Sequence, residues 1–247
     1  MSLIFRTKAL SLKEKEWEET GLIFSLFTEN LGRVEVVAKG ARKISSKLRG
    51  HIIPFSLVDI EFVQGKYNKI LTDVYLIKRF YNINSSPFRF LLIQKLLNIF
   101  FNLTLEESED RKLWDLLLFL FQSLDKKECS PYFLKIIYYY FLWNFFSVLG
   151  FAPELFYCIL CQKKLKPEKL FFYSEGGGVL CYDCYQKNKI LNVLTISPQI
   201  VKIIRKILEG DFKEVLKIKI QPHYFLKLKE ISKNYYFQIK KEDEETL

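Results

Sequence analysis

Apolar and polar positions alternate along the first 80 residues of the chain, then change period. Ile4 to Leu12 carries apolar residues in rough alternation. Gly21 to Thr28 is a short apolar run, and Val34, Val36 and Ala38 interleave with Arg33, Glu35 and Val37. Phe55, Leu57, Ile60 and Phe62 then alternate with Ser56, Asp59 and Glu61 up to Val63, and Ile70 to Ile77 forms a fifth run. A period of two puts successive side chains on opposite faces of a strand. Glu29-Asn30-Leu31-Gly32 and Gln64-Gly65-Lys66 supply turns, with Asn and Gly free to take positive φ. Five short strands in so short a stretch fit an OB-type barrel, whereas an immunoglobulin sandwich needs about seven.

From residue 85 the period is helical. Ser86-Pro87, Ser130-Pro131 and Ser197-Pro198 each put a capping hydroxyl before a proline at the first helical position, where the missing N–H costs nothing. Gly150 and Gly210 offer left-handed ends to the second and third of these helices. A further helix is expected from about Glu109 to Leu124. Another starts near Pro222, with Phe225, Leu228, Ile231 and Tyr235 on one face, and the acidic run after Lys240 is expected to fray. The expectation is an α+β chain in two parts: a five-stranded OB-type barrel over residues 1–81, then a mainly helical domain over 82–247 with a metal-binding insert at about 154–188.

Ile136 to Pro153 has no charged residue and approaches the length of a membrane span. It also holds Asn144, Ser147 and three consecutive tyrosines, and it reads as the buried helix of a helical domain. Met1 to Leu12 carries Arg6 and Lys8 inside its apolar stretch and has no small-residue cleavage site, so no secretory signal is expected.

Lys and Arg outnumber Asp and Glu by 38 to 28, a net charge of +10 that favours anionic partners. The two histidines, His51 and His223, lie far apart in sequence, which argues against a catalytic triad or a histidine-rich metal site. Five cysteines in a chain this long do not make a secreted disulfide scaffold. Four of them pair as Cys158-Ile-Leu-Cys161 and Cys181-Tyr-Asp-Cys184, separated by nineteen residues. Two such knuckles can complete a tetrahedron around one structural zinc ion, with no open position for water. Leu170 to Tyr173 and Val179-Leu180, flanking Ser174 to Gly178, form a hairpin that returns the second pair to the first. The competing readings are two redox dithiols or merely buried thiols; no βαβ unit precedes Cys158 to favour the former. Cys129 has no partner at knuckle spacing and reads as a small buried or half-exposed thiol.

Between the third and fourth strands, Lys39 to Gly50 holds Lys39, Arg42, Lys43, Lys47 and Arg49 and no acid, with Arg33 just upstream. On such a barrel these six cations form a candidate clamp for nucleic-acid phosphates, blind to sequence. The plain alternative is a solvated charged loop. Phe24, Phe27, Phe55 and Phe62 are expected inside the barrel; Tyr67, in a polar turn, is the aromatic most open to exposure.

Two stretches resemble the RecO family of bacterial recombination mediators. One is Leu26-Phe-Thr-Glu-Asn-Leu-Gly-Arg33 with Val37-Ala-Lys-Gly-Ala-Arg42, Ser46-Lys-Leu-Arg-Gly50 and Pro54-Phe55. The other is Leu155, Cys158, Cys161, Ser174-Glu175, Gly177-Gly-Val-Leu-Cys181 and Asp183-Cys184. The resemblance implies an OB fold followed by a helical domain carrying a zinc insert, in a cytoplasmic, nucleoid-associated protein of bacteria. It also implies binding of single- and double-stranded DNA, annealing of complementary strands, and action on DNA coated by single-strand-binding protein. RecR is the implied partner, with RecA helped indirectly onto DNA; no small-molecule substrate is implied and no bond is made or broken.

Two other classes compete. An enzyme such as a zinc-ribbon nuclease would want a carboxylate cluster or a phosphate loop; Asp59, Glu61 and Asp73 are the barrel acids that lie near one another, and no Walker motif occurs. An interaction scaffold would never touch DNA.

Overall fold

The computed structural model describes residues 3–44, 46–48, 50–106 and 108–246, with side chains through 244. The chain forms two compact units, Met1–Ser130 and Pro131–Leu247. The first holds strands β1 (Ile4–Trp17), β2 (Gly21–Thr28), β3 (Gly32–Ala38), β4 (Ser56–Gln64) and β5 (Lys69–Arg79). They close a barrel in the order β1-β2-β3-β5-β4. Closure comes from the antiparallel β1–β4 ladder, Ile4 opposite Val63 through Ser11 opposite Ser56, and from a short parallel β3–β5 contact. Ala9, Phe24, Val36, Val58, Ile60 and Phe62 fill the interior.

β1 runs five residues beyond its expected end at Leu12. Lys13, Glu14, Lys15 and Glu16 continue the ladder with β2 after a bulge at Ser11–Lys13. Charge does not end a strand whose backbone still has a neighbour, and Lys15 meets Glu35 at 3.3 Å across the surface. At the β2–β3 turn Gly32 takes φ +65, and Asn30 stays out of the left-handed region. A Cβ on Gly32 would also meet the Ser108 carbonyl oxygen at 2.3 Å, so the site requires glycine twice over.

Two of the four phenylalanines expected inside the barrel are not there. Phe24 and Phe62 belong to the interior. Phe27 and Phe55 instead pack against the helices of the same unit: α1 (Tyr81–Asn84), α2 (Pro87–Leu103) and α3 (Arg111–Leu124). Phe27 meets Phe100 edge-on at 5.3 Å, and Phe55 meets Phe121 at 6.0 Å. β2 is buried on both faces around Phe27, and Phe55 stands at φ +60 just before β4 begins, so alternation alone could not assign the side.

Asp110 caps α3 by accepting from the Leu113 N–H at 2.9 Å, whereas Ser86 makes no side-chain cap for α2. The C-terminal end of α3 is closed from a distance. Arg89 of α2, 8% exposed, donates to the carbonyl oxygens of Leu124 at 3.1 Å, Lys126 at 2.6 Å and Lys127 at 3.1 Å. A buried guanidinium set on orphan helix carbonyls satisfies both sides and suits the negative end of the helix dipole. Arg89→Met should leave these carbonyls unpaired and destabilise this unit by about 3 kcal/mol, read from urea unfolding.

In the second unit, α4 (Pro131–Val148) is the charge-poor helix. Trp143, Phe141, Phe145 and Phe146 are fully buried, and Asn144 donates to the Ile207 carbonyl at 3.1 Å. Among the described residues no helix is long and apolar enough to cross a membrane. Gly150 ends α4 at φ +91, and the Phe151 N–H reaches back to the Phe146 carbonyl at 2.8 Å.

A three-stranded sheet follows, order β7-β6-β8, from β6 (Leu170–Tyr173), β7 (Gly178–Leu180) and β8 (Val193–Ile196), with α5 (Tyr182–Asn188) between β7 and β8. Then come α6 (Pro198–Glu209), α7 (Phe212–Leu216) and α8 (Pro222–Thr246). Ser197 caps α6, accepting from Ile200 N–H at 3.4 Å. Gly210 ends α6 in extended rather than left-handed backbone (φ −93); glycine is needed because a Cβ would lie 2.6 Å from the Lys206 carbonyl oxygen. α8 does not fray at Lys240 but continues to Thr246, with Lys240 and Glu244 paired at 3.2 Å one turn apart.

Candidate metal centre and nucleic-acid interface

The first knuckle is a tight reversal. Cys158 N–H donates to the Lys163 carbonyl at 2.9 Å, Gln162 N–H donates to the Cys158 carbonyl at 2.9 Å, and Gln162 adopts φ +56. The second knuckle uses a helix start: Cys181 is the N-cap of α5, and Cys184 lies in its first turn. The β6–β7 hairpin, with Phe171 opposite Leu180, brings the two together. All four sulfurs lie within 4.8 Å of one another, and Cys161 and Cys181 are 3.9 Å apart. A tetrahedron with Zn–S bonds of ~2.3 Å has edges of ~3.8 Å, so the donor set and its spacing fit a metal of this kind.

The local electrostatics point the same way. Burial opposes the Cys158 thiolate, yet backbone N–H groups of Cys161, Cys181 and Leu160 outweigh it and bring its pKa down to about 7. Burial and the neighbouring thiols of Cys161, Cys181 and Cys158 push Cys184 up to about 12. Four sulfurs this close cannot all ionise unaided; a bound cation removes that conflict. Among the described residues these cysteines are the one cluster of three or more His, Cys, Asp or Glu side chains able to hold a metal. Asp59 is instead tied to Arg6 at 3.1 Å.

β6 uses its alternation to serve two cores. Phe171 faces the cysteines and stacks on Tyr185 at 3.8 Å. Phe172 faces the helices, meeting Tyr235 at 5.4 Å and Trp143 at 6.3 Å. The cysteine side has only Cys158, Phe171 and Leu180 as buried members. Cys129 belongs to the other unit, half-buried, with its thiol directed at the Ser123 carbonyl at 3.7 Å.

The basic loop is anchored by its apolar residues. Ala41 and Ile52 are buried in the barrel core with Leu48 against them, and Arg42 N–H donates to the Thr20 carbonyl at 3.0 Å. Gly40 and Gly50 take φ +65 and +77. Lys39, Arg42, Lys43 and Lys47 are therefore left on the outside, all exposed. Arg42 pairs with Glu16 at 3.2 Å, an exposed contact of at most ~1 kcal/mol. Lys39, Lys43 and Lys47 carry no ion pair among the described residues. Arg49 lies outside the described residues.

Arg33 is not with them. Its side chain, 14% exposed, donates to the Phe101 carbonyl at 3.1 Å and faces Glu106 at 3.8 Å, so it ties β3 to the end of α2. Alternation could not tell a cation reaching for a helix carbonyl from one reaching for solvent. Tyr67 is 81% exposed, with the Lys66 ammonium 5.1 Å from its ring centroid, an aromatic and a cation together on the β4–β5 turn.

A family model described as Recombination protein O N terminal matches residues 1–80, and one described as Recombination protein O C terminal matches residues 84–238. A DNA repair protein RecO from Dehalococcoides mccartyi is 30% identical over 239 residues, covering 96% of this chain and 92% of the relative. Another, from Alkaliphilus metalliredigens, is 26% identical over 236 residues, covering 94% and 92%. A third, from a Thermoanaerobacter species, is 28% identical over 224 residues, covering 88% and 85%. With both of its halves matched, this chain belongs to the RecO family of DNA repair and recombination proteins.

Proposed function

We propose that the chain is a non-enzymatic DNA-binding mediator of recombinational repair. It grips single- and double-stranded DNA by phosphate charge, lets complementary strands anneal, and acts with RecR on DNA coated by single-strand-binding protein so that RecA can load. The observation that carries this reading is the set of exposed cations Lys39, Arg42, Lys43 and Lys47 on a loop stapled to the barrel. Fixed cations neutralise phosphates on two strands at once and release their counterions, which favours strand meeting without reading bases. The barrel, residues 1–81, is the DNA-binding domain in this reading; Cys158, Cys161, Cys181 and Cys184 hold one structural zinc that keeps the insert folded. Family membership supports the pathway, and the DNA contacts rest on the loop.

The test is annealing of complementary labelled oligonucleotides, bare and coated with single-strand-binding protein. Acceleration over the spontaneous rate in both cases, suppressed by added salt, is expected; no acceleration at any salt concentration rejects the mediator reading. Magnesium-dependent cleavage of either strand would instead favour an enzyme.

A further inference from the structure

The part of β1 that outruns its expected end opens a second feature. In the β1–β2 ladder Glu14 lies opposite Phe24, and directly opposed residues share a face of the sheet. Phe24 is a core residue, so Glu14 shares its side of the sheet but lies beyond the core, exposed at the mouth of the barrel. Among the described residues it makes no hydrogen bond or ion pair, and partial burial raises its pKa. Two open cavities, about 320 and 400 Å³, meet at Glu14 and Ile53. Each falls in the ~300–1,000 Å³ range of small-ligand clefts.

The smaller cavity lies beneath the basic loop, with Arg42 on its rim and Leu22, Phe24 and Leu48 along it. The larger is bordered by Phe55 and Phe90, the amides of Asn84 and Gln94, and Lys13. Phe90 is 40% exposed. Phe55 stands at φ +60, a conformation that bulky L residues rarely adopt, held there by its N–H bond to the Ser11 carbonyl at 2.8 Å.

We propose that this double groove seats the bases of single-stranded nucleic acid, Phe90 offering a stacking face and Glu14 accepting a hydrogen bond from an exocyclic amino group. This deepens the DNA-binding reading above and rests on it. Arg42 on the rim and the exposed Lys43 and Lys47 of the same loop complement phosphates, while the groove mixes apolar side chains with the Asn84 and Gln94 amides, Lys13 and Glu14. An acidic peptide would also suit the rim, but the unpaired carboxylate at the junction would repel it. A base amino group is a neutral donor that a carboxylate accepts from. Cytosine, adenine and guanine carry such a group and thymine does not, so the groove prefers amino-bearing bases although the loop is indifferent to them.

The experiment compares labelled oligo-dC and oligo-dT of equal length on the full zinc-loaded chain, above neutral pH, by fluorescence anisotropy. Oligo-dC should bind about fivefold tighter. Glu14→Leu should raise affinity for both by removing a negative charge, yet bring the ratio close to one, because it leaves no acceptor for the amino group. Phe90→Ala should weaken both equally, and circular dichroism checks that each variant is folded. Equal binding of the two oligonucleotides, or a preference that survives Glu14→Leu, overturns the groove while leaving the loop reading intact. Binding of neither overturns both. Phe90→Ala without effect on DNA removes the stacking face and leaves the groove to a peptide.

Discussion

Removing the metal from the four-cysteine site is expected to unfold residues 154–196 and to loosen the helices beside them. Chelation should abolish the ordered β6–β7–β8 sheet, measured as lost circular dichroism and rapid proteolysis between Cys158 and Cys184. The reasoning is one of scale. The cysteine side of the insert has three buried residues of its own, far too few to fold a segment of this length. A structural four-ligand zinc ion, bound with roughly 10–16 kcal/mol, would make up that deficit. Because Phe172 projects from the same hairpin onto Trp143 and Tyr235, the loss should spread to the α4–α8 contact. Cys158→Ser should behave like chelation. Cys129→Ser, in the other compact unit, should leave metal content unchanged, whereas a metal-free protein with its insert protected would show the cysteines to be a passive cluster.

Reversing the loop charges is expected to have the other large effect. With Lys39, Arg42, Lys43 and Lys47 all changed to Glu, affinity for single-stranded DNA should fall by on the order of several hundredfold near 0.1 M salt. The log–log salt slope should flatten by about 3, since each lost phosphate contact on a single strand removes about 0.7. Arg33→Ala should behave differently: its guanidinium is engaged with the Phe101 carbonyl and faces Glu106, so the variant should lose stability in the barrel unit while the salt slope stays put. An unchanged slope in the loop variant would remove the loop from the interface.

What could be read without coordinates follows physical range. The five strands and the cysteine site were legible because period-two alternation and a two-residue knuckle spacer are local signals. The ends of elements were less so. β1 continues through Lys13 to Glu16 because β2 supplies its hydrogen bonds, and that pairing has no signature within β1 itself. Gly210 marked a helix end, yet crowding by the Lys206 carbonyl, not a left-handed turn, is what requires glycine there.

Long-range assignments were out of reach. Phe27 faces Phe100 and Phe55 faces Phe90 and Phe121, all on later helices, and nothing around either residue in sequence says so. Arg33 and Arg89 look like surface cations in sequence, but each is occupied by backbone carbonyls of another element. For the same reason the loop cations could be nominated as a set from sequence alone, but only the fold separates Arg33 from the exposed four. β8 is not legible because, unlike β6 and β7, no tight turn joins it to its partner: it pairs with β6 only after α5 intervenes.

The central claim is that fixed surface charge on the barrel, not base identity, supplies most of the hold on DNA. Its most direct test is the affinity of the intact chain for one single-stranded oligonucleotide across a series of salt concentrations. A straight log–log line falling with a slope near −3, the value for about four neutralised phosphates, is what the loop geometry predicts. An affinity that does not change with salt would contradict it.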